Sequence, residues 1–92
     1  VTRGELHRLA TKILEEKARG TGLVTGVCVF FDPKDKIPRL QMSLTRAEDD
    51  FTVVYHGRLD EILAGPPAAK IAEACKNLLQ AATNPGNGKV NL

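Results

Sequence analysis

The chain has 92 residues, 42% of them apolar and 26% charged, which suits one folded domain and excludes a chain disordered throughout. Thirteen Lys and Arg against eleven Asp and Glu leave a net charge of +2, far short of the basic excess of a dedicated nucleic-acid binder. No apolar run approaches the ~20 residues of a membrane span, and neither a membrane contact nor a signal peptide is expected.

The first element is a helix. Thr2-Arg3-Gly4-Glu5 has capping-box spacing, in which the hydroxyl and the carboxylate satisfy each other's backbone amides. Leu6, Leu9, Ala10, Ile13 and Leu14 follow at the spacing of one buried face, and Arg8, Lys12, Glu15 and Arg19 fall opposite. Lys17 intrudes on the apolar arc, so the last turn is expected to fray or to let that side chain snorkel. Gly20 supplies the stop.

Leu23 to Phe31 is a β-branched and aromatic run, bounded by glycine before it and Asp32-Pro33 after it. Leu23, Val27, Val29 and Phe31 share one face; Val24, Gly26, Cys28 and Phe30 share the other. A turn through Asp32 to Lys36 leads to a second strand, about Arg39 to Thr45. There Leu40, Met42 and Leu44 alternate with Arg39, Gln41, Ser43 and Thr45. After a polar hairpin, Phe51 to Tyr55 forms a third strand, closed by His56-Gly57. Connections this short suit an antiparallel meander, since parallel crossovers need a dozen residues or more. Arg58 to Ala64 reads as a short helix. Pro67 then opens a last helix, whose apolar positions are Ile71, Ala74, Cys75, Leu78, Leu79 and Ala82.

The expected fold class is therefore α+β in two layers: a three-stranded antiparallel meander with the helices packed on one face. A single domain over 1–84 and a flexible tail over 85–92 are expected. Leu9 and Leu79 are taken as core residues whose truncation deletes buried volume. Both cysteines read as small buried hydrophobes and reduced thiols, which places the protein in the cytoplasm or another intracellular compartment.

No catalytic residue, metal ligand set or cofactor motif stands out. His7 and His56 lack partners at metal-ligand spacing, and Glu48-Asp49-Asp50 has no calcium-loop pattern around it. Cys28 and His56 fall on the first and third strands of the meander, about 9–10 Å apart and too far for proton transfer. Gly20-Thr21-Gly22 precedes a strand, whereas a phosphate cradle precedes a helix.

What remains is the sheet face that the helices leave open. Val24, Cys28, Phe30 and Val54 are expected there beside Arg39, Gln41, Thr52 and His56, as an apolar centre with a polar rim. That composition points to a non-enzymatic protein-binding module: an adaptor, inhibitor or subunit. The partner could be a second copy stacked face to face, with pairing at a sheet edge as a competing route. RNA is the alternative ligand, bound on the sheet or along Arg8, Lys12 and Arg19.

The helix–three strands–helix order is similar to that of double-stranded-RNA-binding domains. It also resembles the small Alu-RNA-binding proteins of the signal recognition particle over most of the chain, with Lys17-Ala18-Arg19-Gly20-Thr21-Gly22 ahead of the first strand. The resemblance is one of layout. It implies a lysine pair at the start of the last helix in the first family, where Pro66-Pro67-Ala68-Ala69-Lys70 stands here. In the second it implies a strongly basic sheet, where the outward set here offers mainly Arg39.

Overall fold

The computed structural model describes residues 2–31, 33–83 and 90–91. Its elements in order are α1 (Arg3–Ala18), β1 (Leu23–Phe31), β2 (Pro38–Arg46), β3 (Thr52–Arg58), α2 (Leu59–Leu63), α3 (Pro67–Thr83) and β4 (Val90–Asn91). The antiparallel meander of β1, β2 and β3 is present, with helices before and after it. A two-residue fourth strand, unforeseen in the sequence, pairs parallel with β3 through Val53↔Val90 and Val54↔Asn91. The rest of the 85–92 stretch expected to be flexible lies outside the described residues.

Local chemistry sets the element ends. Thr2 Oγ1 accepts the Glu5 N–H at 3.1 Å, and the Glu5 carboxylate accepts the Thr2 N–H at 3.4 Å, so the capping box is closed. The helix runs intact to Ala18, with Lys17 exposed beside it and no frayed final turn. Gly20 then takes φ 78°, a left-handed geometry that costs a side-chain-bearing residue about 1–2 kcal/mol. The third strand extends beyond Tyr55 to include His56, Gly57 and Arg58.

The core forms where α1 and α3 meet the sheet. Leu40, Met42, Leu44 and Val53 are at most 1% exposed, sealed beneath Leu6, Ala10, Leu14, Ile71, Cys75 and Leu78. The Cys75 thiol lies 3.8 Å from the Met42 sulfur, and burial pushes its pKa up to about 11. Two expectations need correction. Leu9 and Leu79 are only half-buried, because the stripe that faces the sheet runs through Leu6, Ala10, Leu14 and Ala18 in α1 and through Leu78 in α3. Cys28 is exposed, because it lies on the face of β1 that no described element covers.

Candidate functional site

Strand register assembles the open face. Residues directly opposite in an antiparallel pair point the same way, so each row across the sheet can be read from the pairing. The rows are Val24–Thr45–Thr52, Gly26–Ser43–Val54, Cys28–Gln41–His56 and Phe30–Arg39–Arg58. All eight residues anticipated for this face are therefore on it together. None of the residues in these rows is buried, and Val24 is 58% exposed.

The distribution within the face differs from the anticipated one. The outward side chains of the middle strand are Thr45, Ser43, Gln41 and Arg39, so the centre is polar. The apolar side chains sit to either side, mostly along β1. The wholly polar outward set belongs to the middle strand, so an apolar centre with a polar rim gives way to a polar centre with apolar side chains beside it.

The polar groups on the face are largely committed to one another. His56 donates from Nε2 to Gln41 Oε1 at 2.8 Å, and its ring meets Phe30 edge-on with centroids 6.0 Å apart. The Thr45 and Thr52 hydroxyls are 3.1 Å apart. Arg39 pairs with Asp35 at 2.8 Å. Asp35 also accepts the Ile37 N–H, and these two donors, the amide foremost, hold its carboxyl below the usual range. Arg58 makes two bonds to the Asp60 carboxylate at 2.7 and 3.1 Å, which lower the carboxyl's pKa and raise the guanidinium's. Both arginines on this face thus have carboxylate partners.

Other features flagged by the sequence also find places. Cys28 and His56 flank Gln41 in one row, two strand spacings apart, and the imidazole is directed at the amide. Asp49 pairs with Arg46 and accepts the Phe51 N–H, closing the β2–β3 hairpin. His7 reaches from α1 to β1, donating from Nε2 to the Val27 carbonyl at 3.2 Å. Among the described residues, no three His, Cys, Asp or Glu side chains converge at metal-ligating distance.

Two hollows among the described residues lie away from the open face. One, of about 210 Å³, is lined by residues that include Thr21, Arg46, Glu48 and Thr83. The other, of about 250 Å³, lies between β3 and α3 against Tyr55, Lys70, Glu73, Ala74 and Asn77. Both are smaller than the roughly 300–1,000 Å³ of typical small-molecule sites. No described helix is long and apolar enough to cross a membrane. Comparison with protein-family models, curated proteins and solved structures finds no match for the chain.

Proposed function

We propose that the chain is a small non-enzymatic protein-binding module, an adaptor, inhibitor or subunit, whose contact surface is the open face of its sheet. The observation that carries this reading is the face itself. No described element covers it, Val24 and Cys28 stand exposed on it, and Phe30 and Val54 are half-buried there. A contiguous surface of this kind, apolar along one strand and hydrogen-bonded through its middle, suits a partner that brings its own apolar side chains to β1.

The ion pairs favour protein over RNA on this face. A phosphate arriving at Arg39 or Arg58 would have to compete with Asp35, or with Asp60 and Glu61, for the same guanidinium. It would also meet those carboxylates as like charges.

Affinity capture from the source cell, with wild type and Val54→Lys run side by side, tests the reading. Val54 lies on β3, far from the β1 edge, and its substitution leaves the core untouched. We expect a protein bound by wild type and lost with the variant. Equal capture by both would remove the open face as the contact surface. Captured RNA with affinity falling steeply in salt would replace the protein reading with the nucleic-acid one. Sedimentation of wild type and Phe30→Glu tests the second-copy form of the proposal. Self-association abolished by the substitution supports face-to-face stacking, and a monomer at millimolar concentration excludes it.

A further inference from the structure

The free edge of β1 has a definite hydrogen-bonding pattern. Arg46 donates its N–H to the Phe51 carbonyl at 2.9 Å, so even-numbered residues of β2 turn their backbone groups toward β3 and odd-numbered ones toward β1. Carried through the β1–β2 register, this alternation turns the N–H and C=O groups of Leu23, Thr25, Val27, Val29 and Phe31 away from the sheet. The nine residues of β1 include no charged side chain and no proline, the usual means by which an edge strand is closed to partners. Two of the outward groups are engaged within the chain: His7 donates to the Val27 carbonyl, and the Leu23 N–H donates to Thr21 Oγ1 at 3.2 Å.

What can dock on this edge is limited by α1, which packs against α3 and, among the strands, chiefly against β1. A second copy continuing the sheet there would set its own α1 about one strand spacing, ~4.8 Å, from the first. Packed helices need ~8–10 Å. A segment without a helix above it meets no such obstacle.

The chemistry on the two sides of such a segment differs. On the open-face side it would lie beside Val24, Cys28 and Phe30. On the other side it would lie under α1, whose phase is fixed by the contact of His7 with Val27. At about 100° per residue, the side chains that follow His7 around the helix toward solvent include Arg8, Lys12 and Arg19, with Glu15 ahead of them and Glu5, whose carboxylate accepts the Thr2 N–H of the capping box, just beyond Lys12. All are exposed, and no described carboxylate lies within ion-pairing distance of those three cations.

We propose that the β1 edge binds an extended acidic peptide segment by strand addition, with apolar side chains alternating toward the open face and carboxylates toward α1. The backbone of Thr25, Val29 and Phe31, with the Leu23 carbonyl, supplies the ladder, and the basic flank of α1 sets the charge preference. The edge is a different surface from the Val54 side of the open face, so the two proposals can fail separately.

The probe is an acetylated eight-residue peptide of alternating valine and glutamate, titrated into the isotope-labelled protein and followed by amide exchange. We expect added protection at the amides of Thr25, Val29 and Phe31, and none at the inward-turned amides of Val24, Gly26, Cys28 and Phe30. A valine–lysine peptide should bind at least about tenfold more weakly, which corresponds to ~1.4 kcal/mol. Arg8→Glu with Lys12→Glu, both at exposed helical positions, should reverse that order so that the lysine peptide binds better. Val54→Lys should leave the titration unchanged. No binding at about 1 mM peptide, a weak regime of ~4 kcal/mol, would overturn the proposal. So would equal affinity for the two peptides, or shifts confined to β3 with no protection along β1.

Discussion

Gly57→Ala tests the core side of the sheet at a single atom. Gly57 and Tyr55 point to the same face of β3, and the tyrosine ring folds back over the glycine. A Cβ added at Gly57 would stand 2.3 Å from the Tyr55 hydroxyl oxygen and 2.8 and 2.9 Å from ring carbons Cζ and Cε2. Since carbon contacts settle near 3.5–4.0 Å, the ring must retreat by roughly 1 Å from its half-buried seat against α3. Overpacking of this kind costs about 1–3 kcal/mol, offset by the ~0.4–1 kcal/mol that replacing glycine gains through a less flexible unfolded chain. The net expectation is a loss of about 1–2 kcal/mol, seen as a fall in Tm of roughly 4–15 °C for a domain of this size. Thermal or urea unfolding measures it, with Tyr55→Leu as the second background because leucine cannot reach over residue 57. There Gly57→Ala should be neutral or stabilising, giving a coupling of at least about 1 kcal/mol. An equal loss in both backgrounds would show that the ring does not lie over Gly57, and the placement of Tyr55 would be wrong.

Three further outcomes follow from burial and charge. Leu78→Ala, at a residue with 0% exposure, should cost about 2–5 kcal/mol, and Leu9→Ala and Leu79→Ala distinctly less; urea midpoints that rank Leu79 above Leu78 would reverse the assigned face of α3. A thiol reagent should label Cys28 in the native protein and Cys75 only on unfolding, because Cys75 is buried with its pKa raised to about 11; mass spectrometry showing both labelled at the same rate would contradict the core. The Arg46 guanidinium, with the Phe51 amide, holds the Asp49 carboxyl below its ordinary 3.8. The unfolded chain therefore takes up this proton first, and the stability present above about pH 4 is lost on acidification below it. Asp49→Asn should flatten the dependence of the urea midpoint on pH between about pH 5 and pH 2, and an unchanged slope would mean that the pair contributes nothing in solution.

Much of this arrangement can be read from residue order because period-two and period-3.6 patterns are local. The alternation of Leu40, Met42 and Leu44 with Gln41 and Ser43 identifies β2 and its buried side without any tertiary information. The same parity, applied to three strands joined by short turns, brings Val24, Cys28, Phe30, Arg39, Gln41, Thr52, Val54 and His56 to one face. Features set by the packing of whole elements are less accessible. Leu6, Leu9 and Ile13 all belong to one apolar arc, and only the roll of α1 against β1 decides that Leu6 is buried while Leu9 and Ile13 flank it. Cys28 has the sequence context of a core thiol, and strand parity places it on the open face, but that it stands exposed there depends on no described element covering that face. Val90 and Asn91 are too few to show any period, so their pairing with β3 leaves no trace in the sequence. The carboxylate partners of Arg39 and Arg58 depend on the turn that places Asp35 and on the first turn of α2 that places Asp60, neither of which composition encodes.

The lone tyrosine over Gly57 has a spectroscopic consequence. With one Tyr and no Trp in the chain, intrinsic fluorescence comes almost wholly from a single phenol at the groove between β3 and α3. The exposed thiol of Cys28 lies on β1, across the middle strand and on the opposite side of the sheet. A dye attached there and the native phenol form a donor–acceptor pair spanning the meander, with no tryptophan emission to mask it. Occupancy of the β1 edge and loosening of the α3 side would register in different channels of one optical experiment on an otherwise unaltered chain.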